Sequence, residues 1–402
     1  MAVTKSTRNK AQRRGQQEDG DGLPSEVDGS EPWQNPLMDS KELAQQLCVE
    51  ALMAGCVTSF VELYELSHRE PVCVDALANR MFSIPMDQLP TIQGTLVQAE
   101  RARRTGEFRE VYDCHLKLAN YFEDELDFAT SLHFHDLGLE HCKQSSDKDL
   151  EGVAHENFGN AHERRGNTDM AIRFHETHLR LAEVSRNIPM KRQANKNLIR
   201  VYMRRALECE KAADYPRAKE LYDKAMNTAR ANSDTEAEGE AYHKLGHITV
   251  LLGDLDKALE YQKRFLMVSR EVRNDVNEGK AHVSLAELQE EMGQMSDAVQ
   301  SLVGSLDIAE KAGDLTAICE ACTKLGMLHN KQGDYVKASK YLEQNYTTAK
   351  QIGDRKLIEK ARILVGVARG NNHWQNGFVQ MVDRDLDGML RWKCQGLMSE
   401  AK

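Results

Sequence analysis

The sequence predicts an all-α protein, a right-handed superhelical solenoid of antiparallel helix pairs. Three observations predict it. Segments of the chain repeat at a fixed spacing of 40 residues. Apolar residues recur at intervals of three and four, the period of a helix with one buried face. Aromatic residues make up only 6% of the 402 residues and prolines number 8, while charged residues reach 29%, a profile poor in strand and turn formers.

Residues 1–40 form a basic-acidic tail whose composition predicts disorder. Lys5, Arg8, Lys10, Arg13 and Arg14 come first, and Glu18, Asp19, Asp21, Glu26, Asp28 and Glu31 follow. Gly, Ser and Pro fill the gaps, so little apolar surface is available to offset ordering entropy. Residues 41–105 read as an N-terminal helical cap. Leu43, Leu47, Ala51 and Leu52, then Phe60, Leu63, Tyr64 and Leu66, mark two amphipathic helices broken near Gly55. Pro71, Pro85 and Pro90 punctuate a stretch expected to hold short helices and turns.

Residues 106–375 form the repeat array. Leu245-Gly246, Leu285-Ala286 and Leu325-Gly326 are successive landmarks, 40 residues apart. Eight residues after each Leu stands Gly253, Gly293 or Gly333, and five further on Ala258, Ala298 or Ala338. Phe158-Gly159, Gly166 and Ala171 keep the same offsets. Between these copies lies a unit with Asp214, Ala218 and Leu221, whose first helix is extended by about two turns. Degenerate units carry Leu118-Ala119 with Ala129, and Val365-Gly366. Residues 376–402 are expected to add a capping helix and a tail.

The small residue after Leu lets two helices approach closely. The Gly ends the first helix in a left-handed cap. The later Ala is small where the second helix crosses the first. Such a pair cannot bury its own apolar face and must stack on its neighbours. The pattern matches tetratricopeptide repeats. In that architecture the first helix of each pair lines a concave groove. Counting from the landmarks, Glu156, Asn160, Glu163, Lys196, Arg200, His243, His247, Lys280 and Glu287 are the candidate groove residues. Solenoids of this kind bind extended peptides or helices there.

The formal charge of −10 argues against a protein whose work is coating nucleic acid. No apolar run approaches the roughly 20 residues of a bilayer span, and no secretory leader is expected at the start. Nine scattered cysteines suit a reducing compartment. Asn160 and Asn197 occupy two positions of a carboxylate clamp, but Glu156 stands where the clamp lysine belongs. Asp383, Asp385, Asp387 and Gly388 open a calcium-loop pattern, yet Cys394 replaces its closing Glu. His175 and His178, His133 and His135, and Cys319 and Cys322 lack the further ligands of a metal site. No phosphate cradle or activated nucleophile is evident. The expectation is a binding protein with no catalytic residue, no metal and no cofactor.

The flanks Cys48–Leu66, Val97–Asp124 and Arg391-Trp392-Lys393 resemble the tetratricopeptide repeat protein 29 family, from about residue 41 to 395. The resemblance implies a non-catalytic component of ciliary and flagellar axonemes, linked with dynein and with flagellar assembly and beating. Its implied partners are axonemal proteins, namely dynein subunits and doublet-microtubule components, in cilium, cytoplasm and cytoskeleton. The basic tail then suits acidic tubulin termini. A competing likeness, carried by Phe158–His162 and the 40-residue unit, is to scaffolds that orient the mitotic spindle. That alternative, or a dynein preassembly factor, implies a cytoplasmic scaffold.

Overall fold

The computed structural model describes residues 40–75, 80–379 and 385–395. Two helices open it, α1 (Ser40–Met53) and α2 (Val57–His68), with Gly55 in the left-handed region between them. A β-hairpin follows, β1 (Val72–Asp75) and β2 (Arg80–Phe82), where the sequence suggested short helices and turns. Pro71 disfavours the helical region for the residue before it and so stops α2. The alternation in Val72-Cys73-Val74-Asp75 then suits an edge ribbon. Phe82 from β2 enters the core edge-on to Phe122, at 6.3 Å between ring centroids. Pro90 sits in the first turn of α3 (Leu89–Thr105), where its missing N–H costs nothing.

The array then runs as pairs: α4 (Phe108–Asp124) with α5 (Phe128–Gln144), α6 (Lys148–Arg164) with α7 (Thr168–Val184), and α8 (Ile188–Lys211) with α9 (Tyr215–Ala231). Next come α10 (Thr235–Leu251) with α11 (Leu255–Val272), α12 (Asp275–Glu291) with α13 (Met295–Ala312), and α14 (Leu315–Gln332) with α15 (Tyr335–Ile352). The helix α16 (Arg355–Asn372) packs on α15, passes into a π-helical turn at His373–Val379, and α17 (Leu386–Gln395) is the last described helix. Each helix packs chiefly on its neighbours in sequence, as a solenoid requires. The extended first helix of the third pair is real: α8 has 24 residues against 17 in α6.

The close approach behind the Leu-Gly landmark is visible in atoms. An ideal Cβ at Gly159 would lie 2.7 Å from Cε1 of His175 on the paired helix. Gly246 meets Gln262 and Gly326 meets Leu342 in the same way. The second-helix residue fills the notch left by the missing side chain. The turns are equally regular. Asp127, Asp214, Asp254 and Asp334 each cap the following helix by accepting a backbone N–H three residues on.

Candidate protein-docking groove

The first helices α6 and α8, and likewise α8 and α10, approach each other directly and so lie on the inside of the curve. Their facing residues form a ladder of polar contacts from one repeat to the next. Arg164 Nη1 donates to Glu123 Oε2 at 2.7 Å. Arg200 Nη2 donates to Glu163 Oε2 at 2.8 Å, and Arg204 Nη1 lies 3.2 Å from Glu163 Oε1. His247 Nδ1 is 3.4 Å from Glu210 Oε1. Lys324 pairs with Glu287, and Lys331 Nζ donates to Glu290 at 2.9 Å. In each case the acid precedes its base by 37 or 41 residues.

The sequence-derived groove residues divide into two groups. On α6 and α8 they satisfy one another. Asn197 Nδ2 donates to Glu156 Oε1 at 2.9 Å, and Arg200 Nη2 donates to Asn160 Oδ1 at 3.1 Å. Glu163 is buried beneath Arg200 and Arg204, not open as counting from the landmarks suggests. The clamp-like positions Asn160 and Asn197 are therefore already occupied by internal partners. Lys196 stands apart, exposed beside the turn at Asn232 to Thr235.

On α10 and α12 the residues are more open, although His247 reaches back to Glu210 and Glu287 forward to Lys324. His243 is half-buried, with Nδ1 3.4 Å from Gln262 Oε1, and burial pushes its pKa down. Lys280 and Glu287 are exposed and line a hollow of about 460 Å³. This runs into a larger hollow of about 860 Å³ along α12, α14 and α16. The two share Glu287, Glu320 and Lys324. The floor of the larger one includes Cys319, Met327 and Leu364. Met327 is 54% exposed, a large apolar side chain presented to whatever enters.

Other sequence features are absorbed by packing. His175 and His178 are fully buried on α7, and the His175 ring fills the notch at Gly159. Cys319 and Cys322 are buried free thiols raised by burial, Cys322 to about 12. Asp385 Oδ1 accepts from the Gly388 N–H at 2.8 Å and so opens α17, while Asp383 lies outside the described residues. Among the described residues no group of three or more His, Cys, Asp or Glu is placed to hold a metal ion. No described helix is long and apolar enough to cross a membrane. Lys5, Arg8, Lys10, Arg13 and Arg14 also lie outside the described residues.

Counting from the Leu-Gly landmarks missed Glu123, Arg164, Arg204, Met327, Lys331 and Lys360. The signal that finds most of them is the recurrence of an acid and a base 37 or 41 residues apart on first helices. That offset is one repeat of 40 residues less three or plus one, two positions one helical turn apart on the neighbouring first helix, so it places the two side chains within reach across the seam.

Comparison with known proteins agrees with this architecture. Tetratricopeptide repeat models match residues 154–187, 239–271 and 321–356. A solved structure titled "Crystal structure of YrrB: a TPR protein with an unusual peptide-binding site" is 18% identical, covers 57% of this chain and 97% of its own, and has a TM-score of 0.36. Tetratricopeptide repeat protein 29 of Homo sapiens is 24% identical over 368 residues, covering 87% of this chain and 77% of its own length. Tetratricopeptide repeat protein 29 of Trypanosoma brucei brucei is 33% identical over 357 residues, covering 88% of this chain and 74% of its own length. The likeness spans the cap and the array together, and on it the chain belongs to the tetratricopeptide repeat protein 29 family.

Proposed function

We propose that this chain is a non-catalytic adaptor of the ciliary and flagellar axoneme, docking dynein-associated or doublet-microtubule proteins. The observation that carries the adaptor part is the inner groove, closed on itself at α6–α8 and open along α12, α14 and α16. A surface that is continuous, partly apolar and rimmed by charge suits an extended partner rather than a small substrate. Within it Lys324 pairs with Glu287 and Glu320, and Lys331 with Glu290. The axonemal part rests on the flank motifs and family membership. In it, Lys5 to Arg14 supply a basic arm for the acidic termini of tubulin.

Isolated cilia, extracted first with detergent and then with high salt, test this reading. The chain is expected in the axonemal pellet after detergent and to leave it with dynein in high salt. Complete release by detergent alone would contradict it.

A further inference from the structure

Among the described residues, α16 is a first helix without a second. Its Ile363, Val365 and Gly366 stand 40 residues after Thr323, Leu325 and Gly326 on α14. On α14 this face is covered by α15. Leu342 fills the notch at Gly326, Asn345 Nδ2 donates to Thr323 Oγ1 at 2.9 Å, and Tyr341 stacks on the buried His329. On α16 the equivalent positions Ile363, Gly366 and Arg369 are all exposed, Ile363 by 63%. Among the described residues nothing lies within 4 Å of a Cβ added at Gly366, or at Gly370 one turn on. The sequence explains why the chain does not turn back here. Gly333 ends α14, Asp334 caps α15, and Ala338 lets that helix cross closely. His373, Trp374 and Phe378 stand at the same offsets after α16. His373 stays helical at φ −62°, and Phe378 is too large for the crossing position.

The open face also carries a surplus of positive charge. Arg355, Lys356, Lys360, Arg362 and Arg369 lie on α16 against one acid, Glu359. Arg355 is 3.5 Å from Glu359, Arg369 donates to Glu343 at 2.8 Å, and Asp354 caps the helix. With Glu343 and Asp354 counted, the cations still lead the carboxylates five to three. Lys356, Lys360 and Arg362 are in no ion pair among the described residues. We propose that this face takes an amphipathic helix of a partner protein, acidic along its flanks, which completes the last pair as α15 completes the pair before it. A large side chain of that helix enters the notch at Gly366, an apolar one covers Ile363, and carboxylates meet Lys356 and Arg362. The second helices of this chain show the pattern that fits such a notch. Ala171 and His175, Ala258 and Gln262, and Ala338 and Leu342 each set a small residue four before the one that fills it. A second copy of α16 suits the face poorly, because two surfaces with the same surplus charge repel. Opposite charge at the rim steers the acidic helix to the face, so salt weakens the complex.

This inference goes beyond the inner groove and adds a second interface at the end of the array. A displayed library of eighteen-residue peptides, the length of α15, tests it. The peptides are alanine-rich, random at half their positions, and selected on the full chain at low salt. The enriched ones are expected to be net acidic, with large apolar residues three or four apart. Their binding is expected to fall at least tenfold in Gly366→Gln, which blocks the notch, and at least fivefold in Arg362→Glu. It is expected to hold in Lys263→Glu, an exposed lysine on α11. Gly366 faces open space, so an unchanged unfolding midpoint for Gly366→Gln separates lost docking from lost folding. No enrichment, enrichment of peptides without an acidic surplus, or binding indifferent to both variants would overturn the inference. So would a dimer of the chain that Gly366→Gln dissociates, since a second copy would then hold the face. A chain that stays in the axonemal pellet while failing this selection would leave the adaptor reading standing and remove only this one.

Discussion

Glu163 on α6 is held through both carboxylate oxygens by Arg200 of the next first helix, at 3.1 Å from Nε and 2.8 Å from Nη2 to Oε2, and at 3.0 Å from Nε to Oε1. Arg204 closes on the same group at 3.2 Å. The carboxylate is buried while both guanidinium groups remain about half exposed. A buried acid between two cations of the following repeat couples neighbouring repeats more tightly than an exposed pair would. Removing both cations leaves the charge uncompensated. The double variant Arg200→Ala, Arg204→Ala should lose about 3 kcal/mol of stability. Glu163→Leu should lose less, because it removes the buried charge together with its need for a partner. Urea unfolding of the three chains checks the order.

The notch behind each landmark makes a second test, with its own control. At Gly326 a Cβ would collide with Leu342, whereas at Gly366, one repeat later, nothing lies within 4 Å. Gly326→Ala should therefore destabilise the chain by about 1–3 kcal/mol through overpacking. Gly366→Ala should be neutral or stabilising by up to about 1 kcal/mol, the ordinary helix preference for Ala over Gly. Thermal unfolding of the two variants separates them. Equal effects would refute the notch account.

Among the described residues, five turns hold a non-glycine residue in the left-handed region, including Ala213 at φ 59° and Arg273 at φ 57°. Equivalent turns use Gly253 and Gly333 at φ 82° and 81°. An L-residue there costs about 1–2 kcal/mol, partly offset by the flexibility glycine brings to the unfolded chain. Ala213→Gly should raise stability by about 0.5–1 kcal/mol, read as a higher urea midpoint with unchanged slope.

Acid should weaken the first half of the array. His115, His135, His155 and His175, on α4 to α7, are each pushed down to about 4 by burial. A base whose folded pKa lies below its unfolded value of about 6.5 is protonated more readily once unfolded. Its neutral form contributes fully above pH 6.5, and that contribution is lost as pH falls towards 4. Between pH 7.5 and 5.5 each should cost about 1 kcal/mol, about 4 kcal/mol for the four. His133 works oppositely. Its hydrogen bond to Glu62 is the largest influence and raises its pKa, so its contribution is present at low pH and fades as pH rises. Stability measured at the two pH values checks the sum, and His135→Phe should flatten the slope. A stability independent of pH in this window would contradict it.

Much of this was legible in the sequence. The 40-residue spacing places Gly246, Leu285 and Leu325 correctly because each notch, cap and crossing demands one small or one apolar residue at a fixed offset. The longer α8 shows in the same register, since an added two turns shifts Asp214 but leaves its offset to Ala218 unchanged. The β-hairpin was not legible. Its seven described residues are too few to show a period, and what holds Phe82 is the distant Phe122. The groove was legible only in outline. Position in the repeat shows that Glu163 faces inward, but its burial depends on Arg200 and Arg204 reaching across from another helix.

The central claim is that the array docks on a protein of the axoneme. Cross-linking of intact isolated axonemes, followed by mass spectrometry of peptides joined to this chain, tests it most directly. The account predicts cross-links from lysines of α12 to α16 to a dynein-associated or doublet-microtubule protein. Cross-links confined to soluble cytoplasmic proteins, or a chain absent from the axonemes, would contradict it.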